Sequence, residues 1–168
     1  MGQQWLQEQR NLYIARARSL TADEEKLLQG YYDNKILDKV RLSAVDRISN
    51  PTFYTELVKS GNPILDISGS AGITFIDCIV IREEFRKDFP AWNSILFHEL
   101  VHVVQYEILG SKRLIEAYLT AWSQNGYSYD RIPFEMQARR LEIRFDRHEP
   151  PFSVRKAVER ELKKWQLL

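Results

Sequence analysis

The sequence of 168 residues holds a single cysteine and only three histidines, and both scarcities narrow its reading. One cysteine, Cys78, excludes an internal disulfide framework and fits a reducing compartment. An excess of either charge is also missing: 24 basic and 23 acidic side chains leave a formal +1, so there is no electrostatic footprint for nucleic acid or for an anionic membrane. Bilayer-length apolar runs are lacking as well. The longest candidates, Ile73 to Ile81 and Ile95 to Val104, are short and are interrupted by Asp77, His98, Glu99 and His102. The first residues lack the basic region and apolar core of a secretory signal, and Leu6 occupies the place where a myristoylation motif needs Ser or Thr. A soluble, cytoplasmic protein with neither a nucleic-acid nor a membrane partner is expected.

What remains is 44% apolar, enough for a real core, with no solenoid repeat and no low-complexity tract, so residues 1–168 read as one domain. Residues 1–35 read as a helical extension. Within it, Trp5, Leu6, Tyr13 and Ile14 suggest a frayed amphipathic helix, and Thr21-Ala22-Asp23-Glu24 is a capping box opening a helix that ends near Gly30. Alternation between Ile36 and Ile48 suggests a half-buried strand, with breaks at Asn50-Pro51 and Gly61-Asn62-Pro63. Ile73 to Ile81, β-branched and apolar on both faces, reads as one well-covered strand. Helices are then expected from about Pro90 to Leu109, Lys112 to Gln124, Phe134 to Arg147, and from a Ser153 cap to about Leu167.

Two of the three histidines belong to His98-Glu99-Leu100-Val101-His102, an HExxH motif. On a helix, positions four apart lie about 40° from one another and one turn along the axis, so both imidazoles can reach one metal ion. Glu99 then stands beside the ion, free to accept a proton from a water that the cation has acidified. The surrounding helix is apolar nearly all round, through Leu96, Phe97, Leu100, Val101, Val103 and Val104. Two histidines and a glutamate buried there cost several kcal/mol unless hydrogen-bonded or metal-bound.

A catalytic zinc wants three protein ligands and an open position. Candidates for the third are Glu116, Asp130, Glu135 and His148. Glu135 is favoured because it sits in the first turn of its helix among Ile132, Phe134 and Ala138, on the core side. Only a short connection separates Glu116 from the first helix; Asp130 lies in a polar loop suited to turns, and His148 looks like an exposed helix end.

The run from Leu96 to Gln105, with Pro133-Phe134-Glu135-Met136-Gln137-Ala138 downstream, resembles the zincin metallopeptidases of the gluzincin type, and most nearly their small bacterial minigluzincin-like members. The resemblance covers about Gly72 to Phe145, within a metal-site core of residues 72–147. It implies an α+β fold with a small mixed sheet packed on an HExxH active-site helix and a mostly helical C-terminal half. It further implies a Zn2+ cofactor held by His98, His102 and Glu135, Glu99 as general base, and a peptide or protein substrate lying along an edge strand. One departure is plain. Larger relatives often carry an aspartate four residues after the ligand glutamate to support a zinc histidine, and that position here is Arg139.

Hydrolysis also needs a donor to the oxyanion, for which Tyr127 and Tyr129 are the best placed in sequence and Tyr106 a further candidate. Gln105, on nearly the same helical face as His98, reads equally as a cleft residue and as a structural polar contact. Arg139, Arg140, Arg144 and Arg147, interspersed with Glu142 and Asp146, read as a solvated face. Cys78 reads as a small buried hydrophobe, and Trp92, Trp122 and Trp165 as core. The competing reading is a zinc-stabilised binding or regulatory module without hydrolytic activity.

Overall fold

In the computed structural model, which describes residues 2–168, the chain runs α1 (Gly2–Ile14), α2 (Ala22–Leu28), α3 (Asn34–Lys39), β1 (Arg41–Val45), α4 (Tyr54–Lys59), β2 (Gly72–Phe75) and β3 (Cys78–Arg82). It continues as α5 (Phe89–Leu109), α6 (Ser111–Gln124), α7 (Pro133–Asp146) and α8 (Val154–Lys164), an α+β arrangement. Several helix boundaries follow from local chemistry. The Thr21 hydroxyl accepts from the Glu24 amide at 3.2 Å while the Glu24 carboxylate accepts from the Thr21 amide at 2.7 Å, so the reciprocal cap starts α2. Asp88 accepts from the Ala91 amide to start α5, with Pro90 in the first turn where no intrahelical amide is needed. Gly110, at φ 74°, ends that helix in a conformation that L side chains rarely adopt.

Glu24 does more than cap. Its carboxylate also receives both Arg18 guanidinium nitrogens, at 2.6 and 2.8 Å, and the Trp92 indole N–H at 3.1 Å, which ties α2 to α5. Burial alone would raise its pKa; the Arg18 hydrogen bonds, the Thr21 amide and Trp92 overcome that and hold it at about 2.

The sheet has the order β1-β3-β2, with β1 parallel and β2 antiparallel to β3. Here the sequence reading needs two corrections. The run Ile73 to Ile81 is a tight hairpin rather than one strand, turning at Ile76-Asp77, with Ile76 at φ 65°. Asp77 is the only turn-favouring residue in that run, and a β-branched residue at positive φ beside it is strained. The turn is held from outside: Arg10 of α1 grips the Asp77 carboxylate at 2.5 and 2.9 Å, and the Arg41 amide donates to the Asp77 carbonyl at 2.9 Å. The stretch from Ile36 to Ile48, read as a strand, divides into α3 and the shorter β1. The final helix stops at Lys164, and α4 was not anticipated.

β3 separates two apolar clusters. Ile79 and Ile81 face the larger, built around α5 with Leu96, Phe97, Leu100 and Val104. Each fully buried Leu, Ile or Phe there contributes roughly 1.5–3 kcal/mol. Phe97 stacks on Phe145 at 4.4 Å, and the Tyr32 hydroxyl donates to the Phe97 carbonyl at 2.6 Å, joining α5 to α7 and to the N-terminal segment. Val80 faces the smaller cluster with Leu6, Ile48, Ile67 and Phe75. Helix α1 therefore finds its partner within the chain: Trp5 meets Phe75 edge-on at 5.6 Å and Tyr13 stacks on the same ring at 5.6 Å. Cys78, Trp92 and Trp122 are buried as expected, whereas Trp165 is half-buried at the edge of the larger cluster. Among the described residues, no helix is long and apolar enough to cross a membrane.

Candidate metal centre

The apolar girdle that makes α5 central also fixes the direction of its polar side chains. His98 and His102, one turn apart, point toward α7, and Glu135 in the first turn of α7 points back between them. His98 Nε2 lies 3.3 Å from Glu135 Oε2, His102 Nε2 lies 3.2 Å from Glu135 Oε1, and the two Nε2 atoms are 3.2 Å apart. Among the described residues, these three buried side chains form a group able to hold a metal ion.

The donor atoms suit that task on two counts. Nitrogen and oxygen ligands about 2.0–2.2 Å from a tetrahedral zinc stand about 3.3 Å from one another, which matches the separations observed. The second count is the tautomer. His98 Nδ1 donates to Glu142 Oε2 at 2.8 Å, and His102 Nδ1 donates to Gln105 Oε1 at 2.8 Å. The Gln105 amide is oriented by donating to the Phe134 carbonyl at 3.2 Å and to Gln137 Oε1 at 2.9 Å. With both Nδ1 atoms committed, both Nε2 atoms turn toward the centre.

The charges of the cluster are strongly coupled. Burial opposes a charged imidazole, yet the hydrogen bonds to Glu135 and Glu142 and the charge of Glu99 push His98 up to about 10. His102 is likewise raised against its burial, chiefly by Glu135. Glu135 is held well below the usual carboxylate range, its burial outweighed by His102 and His98.

Glu99 stands beside the cluster, 6% exposed, between it and the edge strand. The Thr74 hydroxyl donates to Glu99 Oε2 at 2.7 Å. Burial raises the Glu99 carboxyl, while the two histidines and Thr74 pull in the opposite direction. Gly72 is needed where β2 crosses this side chain: a Cβ there would fall 2.8 Å from Ile95 Cγ2 and 2.9 Å from Glu99 Oε1.

The other sequence candidates separate clearly. Tyr129, 36% exposed, and Tyr106, half-buried, line the same cavity as Glu99, His102 and Glu135, and desolvation of the phenols followed by the nearby carboxylates raises both, keeping them as donors. Tyr127 is 53% exposed, packs edge-on against Trp122 at 5.0 Å and is not among the residues that line this cavity. Glu116, Asp130 and His148 are exposed and stand outside the cluster.

Two residues escaped the sequence reading. Tyr118, taken as part of an apolar stripe, donates its hydroxyl to Glu135 Oε1 at 2.8 Å. Glu142, taken as part of a solvated face, is instead turned onto His98. The available signal was spacing: Glu142 follows Glu135 by seven residues, two helical turns on the same face. Arg139 is exposed and takes no part, and Glu142 supplies the support that an aspartate at that place would give.

No protein-family model matches the chain, and neither a curated protein nor a solved structure matches it. The functional reading therefore stands on the chemistry of the site.

Proposed function

We propose that the chain is a zinc-dependent peptidase of the zincin type, with His98, His102 and Glu135 as the metal ligands. The observation that carries this reading is the convergence of two Nε2 atoms and a carboxylate at 3.2–3.3 Å beside a second, separately held carboxylate, Glu99. The same three ligand types can hold Fe(II). A buried carboxylate set beside the ligands favours hydrolysis and hence zinc.

Zinc at this centre supplies Lewis acidity toward a carbonyl oxygen and toward water. Glu99 accepts the proton from the attacking water on Oε1, since Oε2 is occupied by Thr74, and delivers it to the leaving amine. Tyr129, with Tyr106 nearby, would donate to the developing oxyanion. β2 is an edge of the sheet and passes directly over Glu99, so a peptide main chain alongside it would lie next to the base.

The test combines metal analysis with Glu99→Gln. One zinc per chain is expected, lost in His102→Ala and retained in Glu99→Gln, whose turnover of a peptide library should fall about 10²- to 10⁴-fold. Protein that purifies with iron, or without any metal, overturns the assignment of zinc. Zinc retention with unchanged turnover in Glu99→Gln overturns the mechanism, and zinc retention with no turnover in the wild type leaves a zinc-stabilised module.

A further inference from the structure

A cavity of about 410 Å³ opens onto the metal cluster, sharing Glu99, His102 and Glu135 as part of its wall. That volume lies in the range of small-molecule pockets. Much of the remaining wall is apolar and comes from segments far apart in sequence: Trp5 of α1, Phe53 and Leu57 at α4, Ile73 of β2, and Leu119 and Trp122 of α6. These walls are mutually braced, since Trp5 meets Phe53 at 6.5 Å and Phe75 at 5.6 Å, both edge-on. Among the described residues, the cavity is lined by no lysine, arginine or aspartate, and its acidic groups are the two glutamates of the centre. Away from the centre the wall offers no cation to an anionic guest and no anion to a cationic one, so either would give up its hydration to an apolar surface. An uncharged apolar guest meets no such cost.

We propose that this cavity receives the apolar side chain of the residue next to the scissile bond, and that α1 and the 53–67 segment set this preference. The substrates are then peptides carrying an aromatic or long aliphatic residue at that place. This rests on the peptidase reading above, and it gives the N-terminal residues, which lie outside the metal-site core, a direct part in recognition. Trp5, Phe53 and Leu57 are specificity residues in this assignment, distant in sequence from the groups that hold the metal.

The test uses small hydroxamates on the zinc-loaded protein and neutral alkyl amides on the metal-free protein, both read by calorimetry and thermal shift. Acetohydroxamate reports the metal alone, and octanohydroxamate adds six methylenes. Each methylene buried should tighten binding about fourfold, so burial of half of the chain gives about sixtyfold. Glutaric acid monohydroxamate should show no such gain. Leu57→Arg should abolish the gain for the octanoyl chain and create one for the glutaric compound, with acetohydroxamate unchanged. In the metal-free protein, octanamide should raise the melting temperature and acetamide should not. Equal affinity for acetyl and octanoyl hydroxamates, or a wild-type preference for the glutaric compound, overturns the proposal. Stabilisation by octanamide with no hydroxamate binding at all supports the apolar cavity while refuting the metal reading, so the two failures are distinct.

Discussion

Replacing Glu142 by glutamine tests whether the hydrogen bond to His98 positions a metal ligand. The carboxylate lies 2.8 Å from His98 Nδ1, its side chain is 21% exposed, and it touches neither the other histidine nor Glu135. Glutamine keeps the size and one acceptor but removes the charge, so His98 becomes a weaker base and its ring is held by a weaker hydrogen bond. Partners of this kind are worth about 10- to 100-fold in metal affinity, or roughly 1.4–2.7 kcal/mol. The Coulomb attraction across 2.8 Å is screened by this partial exposure, which favours the lower half of that range. Competition with a chromophoric zinc chelator at neutral pH measures the effect directly, and circular dichroism verifies that the fold is intact. Arg139→Ala, on the same helix but exposed, is the control and should leave affinity within twofold. Glu142→Gln with wild-type zinc affinity, or Arg139→Ala with the larger loss, would refute the assignment of Glu142 as the support of His98.

Gly72→Ala should retain zinc yet lose about 100-fold in peptide turnover, because the new methyl must push Glu99 or the edge strand aside; wild-type turnover would contradict the crowding seen there. Tyr118→Phe should weaken zinc binding about three- to tenfold by removing a donor to Glu135, measured by the same chelator competition. The acid limb of stability should report Glu24. Its folded pKa of about 2 lies below the unfolded value, so its contribution is complete above about pH 4.3 and disappears as pH falls toward 2. Glu24→Gln should therefore cost about 1–2 kcal/mol in urea titrations at pH 7, allowing for solvent at Arg18, and the gap should close between pH 4 and pH 2.

The sequence and the structure agree where a signal is local. The capping box at Thr21, the proline in the first turn of α5 and the glycine ending it are each written in neighbouring residues and each forms. The candidate metal ligands were legible because four-residue spacing has one geometric meaning on a helix, and because a glutamate among apolar residues needs a partner. Features set by distant contacts were not. The Ile76-Asp77 turn carries no glycine or asparagine and depends on Arg10, sixty-seven residues from Asp77. Glu142 sits among arginines and acids in a pattern typical of solvated helices, and only the position of α5 across from it turns that carboxylate inward. Tyr127 and Tyr129, two residues apart in one loop, were equivalent by sequence; the positive φ of Tyr127 and its contact with Trp122 send them to different places.

The division of the core by β3 has a consequence for how the molecule breathes. The cluster beneath α1 has five buried apolar residues, whereas the one around α5 draws on most of the remaining core. Opening free energies scale with the apolar surface exposed, so α1 should release through a local excursion while α5 and α7 exchange only on global unfolding. Amide hydrogen exchange would then find two protection levels, low across residues 2–14 and high across 96–104. The α1 side of the cavity wall and the metal cage belong to different cooperative units, and the first can part and reclose many times in the lifetime of the second.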